Sequence, residues 1–149
     1  MAFQFSTGLK NGILGTSSLS TLLTDGYIKL YAGTMPATAD GALGAAVLLN
    51  TYSDASGSGA GNGLEFDAPD SGGISKQTGQ VWSGLSVAAG TATFFRYIQQ
   101  ADTGVDSPTQ VRVQGTVGGA GADMFVQTAA ISDATTYTID YFTIVIPAS

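Results

Sequence analysis

Glu65 and Asp67 lie two residues apart, and Asp70 follows beyond Pro69 in "LEFDAPD". On a strand, a spacing of two puts both carboxylates on one face. Paired carboxylates can hydrolyse glycosides, and clustered ones can ligate calcium. The context argues against both. Glu65 is the only glutamate and no EF-hand spacing surrounds it. Most of the aspartates stand beside Gly, Ser or Thr, where the carboxylate caps turns by accepting from nearby amides. The chain also has no His and no Cys. The histidine base of most nucleophilic triads is missing, as are the main ligands of zinc and any disulfide framework. The residues predict no enzyme, no cofactor and no metal.

The second chemical candidate is "GTVGGAGADMFV", residues 115–126, with glycines at 115, 118, 119 and 121. A phosphate-cradling loop needs a glycine followed by lysine, and no glycine in this chain is. A dinucleotide fingerprint needs Gly-x-Gly-x-x-Gly between a strand and a helix. Neither the spacing nor the context fits, because the run leads into apolar residues that read as a strand. The expectation is a tight strand-to-strand connection that uses positive φ.

Five bases, Lys10, Lys29, Lys76, Arg96 and Arg112, are scattered singly against eleven acids, for a net charge of −6. A nucleic-acid site needs clustered Lys and Arg, so no nucleic-acid partner is expected. No run of about 18 apolar residues is present, so no membrane span is expected either. The opening "MAFQFSTGLKNGILGTSSLS" lacks the basic start and compact apolar run of a signal peptide. That reading gives a soluble protein made in a cytoplasm. Charged residues make up only 11% of the chain, well under the usual ~25%. A surface of small neutral residues has little repulsion to keep copies apart, which favours assembly.

The elements that must position these residues read as follows. Residues 1–24 form an arm and a short helix: Leu9, Ile13, Leu19, Leu22 and Leu23 continue one apolar face. Ser6 or Thr7 caps the start, and Gly8, Gly12 and Gly15 each cost up to about 1 kcal/mol. Residues 25–149 read as a single β-domain. "YIKLY" is a strand with Ile28 and Leu30 on one face. A second strand begins near Ala46, and Leu64 and Phe66 alternate in a brief one. "SDASGSGAGNG", with glycines 57, 59, 61 and 63, and "DSGGISKQTGQ" read as loops. "GTATFFRYIQQ" is the clearest strand, with Phe94, Arg96 and Ile98 on one face and Phe95 and Tyr97 on the other. Both faces carry bulk, so one sits in a core and the other touches something more. In "VRVQGTV", Val111 and Val113 point inward and Arg112 and Gln114 outward. "DMFVQTAAIS" is a further strand. The tail Phe142–Ile146 is apolar and expected at the centre of a sheet, stopped by Pro147. Seven or eight short strands after one helix predict an all-β, antiparallel β-sandwich of jelly-roll type.

Four residues stand out as candidate interface groups. Phe3 and Phe5 alternate with polar residues, as in an extended arm that packs on a neighbour or on its own domain. Arg96, between aromatics, is either an interface anchor or an outward Arg lying on neighbouring rings. Trp82, the only tryptophan, has the same two readings, with the core favoured.

"GYIKLYAGTMPATADGA" is similar to a run in a family of small tailed-phage virion proteins, where an "IxIYxGTxPA" strand precedes a small-residue loop and an apolar strand. "AAVLLNTYSD" matches the latter. "GTATFFRYIQ" resembles the family's "GTATWFRV" strand, and "VQGTVGGAGADMFVQTAAISDATTYTIDYFTIVIPA" resembles its closing pattern. The order and spacing match over residues 26–147. The family comprises capsid cement, or decoration, proteins. The resemblance implies a jelly-roll-type sandwich, a homo-oligomer (dimer or trimer) on the outer capsid surface, and the major capsid protein as partner. It implies no catalysis and no cofactor. The stretches "SGSGAGNGLEFDAPDSGGISKQTGQ" and "QQADTGVDSP" depart from the pattern. Two other readings stay open: a tail, baseplate or fibre component, and a carbohydrate-binding module stacking sugars on Tyr27, Tyr31, Tyr97 and Trp82.

Overall fold

In a computed structural model, which describes residues 3–56 and 62–146, the chain is an all-β, sandwich-like fold behind a short helical segment. Glycines 57, 59 and 61 of the low-complexity stretch, and Pro147, lie outside the described residues.

The N-terminal segment begins with β1 (Gln4–Phe5), followed by α1 (Thr7–Gly15) and α2 (Leu19–Leu23). Ser6 caps α1, its hydroxyl accepting from the Leu9 amide, and Ser18 caps α2 through the Thr21 amide. These bonds satisfy amides that a helix start leaves free. The cost of glycine in α1 has a structural return. A β-carbon at Gly8 would lie 2.4 Å from the Thr109 carbonyl oxygen, so only glycine lets the helix sit this close to residues 109–110. Leu9 and Leu23 are fully buried and belong to the same hydrophobic cluster as the sheet.

The large sheet contains β2 (Gly26–Ala32), β3 (Val47–Asp54), β5 (Trp82–Leu85), β7 (Phe94–Gln99), β8 (Arg112–Gly118) and β11 (Thr136–Ile139). Its order is β1-β8-β7-β2-β3-β5-β11, all neighbours antiparallel. β9 (Met124–Phe125) hangs on β8. Two small ladders complete the fold: β10 (Ala130–Ile131) with β6 (Gly90–Thr91), and β12 (Thr143–Val145) with β4 (Gly73–Ser75). Ile28, Leu30, Phe95, Tyr97 and Val113 form one apolar face with Trp82, Leu64, Phe142 and Ile144 packed over it. Phe142 sits against the rings of Phe95, Trp82 and Phe66 at 5.8–6.4 Å between centroids, a spacing at which aromatic pairs attract.

Several expectations need correction. The tail Phe142–Ile146 is not central in a sheet. β12 pairs only with β4, and Val145 and Ile146 are about half exposed. Only Phe142 and Ile144 point inward, as the period of two dictates. "DMFVQTAAIS" is two strands, not one, because its first half pairs with β8 and its second with β6. "DSGGISKQTGQ" contains β4 instead of being all loop. The glycine-rich run is the strand-to-strand connection expected of it, but the strands it joins do not fold back on each other. β8 and β9 are parallel, with Val117 opposite Met124 and Gly118 opposite Phe125. The chain loops through residues 119–123, where Gly121 has φ +92°, a conformation that suits glycine. Asp123 pins the loop: its carboxylate accepts from the Thr116 amide and hydroxyl, at 2.9 and 3.0 Å.

Candidate functional site: a buried arginine layer beneath two loops

Register sets the second face of the sheet. Gln4 pairs with Gln114, Gln114 with Arg96, and Arg96 with Lys29, so one polar row crosses four strands. Ile98 stands opposite Arg112 in the same layer. Arg112 and Gln114, expected outward, are fully buried, and so is Arg96. Strand periodicity places them correctly on the face opposite Val113. It cannot show that the chain's own 33–46 and 100–110 segments cover that face.

The two arginines fasten those segments. Arg112 forms a bidentate pair with Asp102, Nε to Oδ2 at 2.6 Å and Nη2 to Oδ1 at 2.8 Å. It also donates to the carbonyls of Ala39, Asp40 and Val105. Arg96 donates to Gln114 Oε1 through Nε and Nη2, and to the Gly41 carbonyl through Nη1. Gln114 in turn donates to the Pro36 carbonyl and to Gln4 Oε1. Planar, multi-donor guanidinium suits this work, since one side chain can hold several carbonyls at fixed angles.

The electrostatics follow from burial. Burial alone would raise the Asp102 carboxyl pKa. Hydrogen bonds from Arg112 and the Gly104 amide, with the charges of both arginines, outweigh it and hold the group below the usual carboxylate range. Arg96 has no carboxylate within ion-pair distance; the one ion pair among the described residues is Arg112–Asp102. Burial first, and the neighbouring Arg112 charge second, lower the Arg96 pKa to about 10, so it is still charged at neutral pH. Asp40 is held low chiefly by the Thr7 hydroxyl, which donates to it at 2.6 Å.

Beside this layer, at the β1 edge of the sheet, is a groove of about 820 Å³, lined by Phe3, Phe5, Lys10, Asp40, Thr143 and Val145 among others. Its walls are the N-terminal arm and the loop that the arginines hold. Phe3 and Phe5 therefore pack on their own domain. β1 pairs with β8, and the Phe3 ring meets the edge of Phe95 at 5.7 Å. Both rings remain partly accessible from the groove. Trp82 is fully buried and donates to Gln80 Oε1 at 2.7 Å, so it is not on the surface. Arg96 is likewise interior, neither an outward Arg nor a surface anchor, because two loops close over it. The Asp67 carboxylate caps Thr78, accepting from its amide and hydroxyl, and the Glu65 backbone amide donates to Gln80 Oε1. Of the rings proposed for sugar stacking, Tyr31, Tyr97 and Trp82 are buried. Among the described residues, no three acidic, His or Cys side chains are grouped to hold a metal. No helix there is long and apolar enough to cross a membrane.

Asp102, Arg112, Gln114 and Gln4 went unrecognised as a unit. The available signal was the polar side chains set two apart in "VRVQ" and the Arg inside "FFRYI". Both are strands whose other residues are bulky. No protein-family model matches the chain, and no curated protein or solved structure matches it.

Proposed function

We propose that the protein is a structural component of a tailed-phage virion. It cements the outside of the head, as a dimer or trimer that bridges major capsid subunits, and its sandwich is of jelly-roll type. The observation that carries this reading is the ordered resemblance of three sequence runs. It gains support from where those runs fall. "GYIKLYAG" lies about 60 residues or more before "FFRYIQ" and "VQGTVG", yet the three supply β2, β7 and β8, which pair side by side. A second support is the arm-and-loop groove, a candidate contact surface whose loop wall Arg112 fastens through the Ala39 and Asp40 carbonyls. Preorganised surfaces lose less entropy on binding.

Quantitative mass spectrometry of purified virions tests the proposal, together with co-sedimentation of the protein with expanded heads that lack it. Hundreds of copies per particle and saturable head binding are expected. A few copies per particle would place it in the tail, baseplate or fibre. Absence from virions together with no head binding would overturn the proposal.

A further inference from the structure

The strand at one end of the large sheet and a short strand off its path line one groove. At one end is β11, which pairs with β5 through Thr136–Ile139 and Trp82–Leu85 without a register shift. Across from it is β9, which pairs with β8 off the main strand path, whose own far end is β1. Between them runs a groove of about 690 Å³ whose walls are residues 124–128 and 136–143. Its floor is the core itself: Leu30, Tyr52, Ala92 and Val117, all buried, line it from below. β9 and β11 thus flank a seam that is open to the core.

The β11 side of the seam is an open edge. No described residue forms a backbone hydrogen bond to it beyond the β5 ladder. Edge strands are ordinarily blunted by charge, proline or a bulge. The run Thr136-Tyr137-Thr138-Ile139 has none of these. It is β-branched and aromatic, and it spans about 13 Å at 3.3 Å per residue, enough for a four-residue ladder. Phe125 and Tyr141, two of the most exposed large apolar side chains among the described residues, stand on the rim at 66% and 80% exposure. Neither is explained by the fold.

We propose that this seam accepts an extended segment of a partner protein, which inserts between β9 and β11 and pairs with the free edge of β11. Alternate side chains of the segment drop onto the apolar floor, which is how strand addition obtains specificity. Charge selects the occupant. Asp140 is the one charged residue lining the groove among the described residues, and beyond Arg112 the chain carries Asp123, Asp133 and Asp140 and no cation. The segment is therefore apolar at alternate positions and bears Lys or Arg between them. The chain's own β1 and β12 are engaged elsewhere, with β8 and β4.

The test uses the full chain, labelled with ¹⁵N, and a synthetic heptapeptide Lys-Val-Thr-Val-Lys-Val-Thr with blocked ends. Saturable amide shifts confined to residues 124–128 and 136–143 are expected, weakening as salt rises. Replacing both lysines with glutamates should weaken binding about tenfold. N-methylation of one alternate set of peptide amides should abolish binding, while methylation of the other set leaves it within about twofold, because only one set faces β11. D140N should reduce the salt dependence and leave the fold intact, as checked by circular dichroism. No shifts up to roughly 1 mM peptide, a range covering weak association, would overturn the proposal. So would equal binding of the two methylated peptides. Self-association through β11 without peptide would overturn it in favour of a second copy. Because no heads are involved, failure here is distinct from failure of the cement reading.

Discussion

The two faces of strands β7 and β8 solve the same problem with opposite chemistry. On one, Phe95, Tyr97 and Val113 pack into an apolar cluster. On the other, Arg96, Arg112 and Gln114 are equally dry, but every contact they make is directional. Apolar packing is proportional to area and indifferent to partner. A buried guanidinium is costly unless its donors are met. The apolar face therefore supplies cohesion. The polar face ties specific carbonyls of residues 36–41 and 105 to specific strand positions, so it fixes where the loops lie.

The comparison breaks most visibly at Arg112. Arg112→Ala strands Asp102 as a buried, unpaired charge, and a loss of about 3–5 kcal/mol is expected in urea unfolding. The double replacement Arg112→Leu with Asp102→Leu should recover at least half of that, because burying no charge is better than burying one. Phe95→Ala, on the other face, should cost a similar ~3–5 kcal/mol. No second substitution at a polar site should rescue it. If the double variant is no better than Arg112→Ala, the layer is not an electrostatic unit.

Acid separates the faces next. The folded-state pKa of Asp102 is depressed, so its contribution is complete above the unfolded value, about 3.9, and is lost as pH falls through the lower folded value. The stability gap between the wild type and Asp102→Asn should narrow below about pH 4. A gap constant from pH 7 to pH 2 would show that the carboxylate charge is irrelevant. Arg96→Met is expected to cost less, about 1–3 kcal/mol, mainly by leaving Gln114 Oε1 and the Gly41 carbonyl without donors. Amide exchange should then quicken in residues 36–41 more than in β2. The smallest effect should come from Gln4→Ala, which removes one side-chain bond to Gln114, at about 0.5–1.5 kcal/mol. Its expected signature is faster exchange in β1.

Sequence reasoning reached the apolar face more fully than the polar one. Ile28, Leu30, Phe95 and Tyr97 alternate, and alternation is a local signal. The Ser6 cap and the split of faces in "FFRYI" were also legible. The burial of Arg112 and Gln114 was not. What covers them is the 33–46 and 100–110 segments, and those owe their position to the arginines. No window of sequence contains both halves of that relation. The tail misled for a different reason. "YFTIVI" has the composition of a central strand, but only its alternate residues Phe142 and Ile144 find the core. Asp123 binds Thr116 across the turn between the parallel β8 and β9, a contact that composition does not announce.

The buried arginines have a consequence for proteolysis. Trypsin cuts only after Lys or Arg, and this chain offers five such positions. Two are sealed beneath loops, Lys29 lies within a paired strand, and the Lys76 ammonium is tied to the Gln80 carbonyl. Lys10, exposed on α1, is the one left in open solvent. Cleavage at Arg96 or Arg112 must wait for the sheet and its loops to open. A protease that reads positive charge thus meets a folded surface with almost nothing to read.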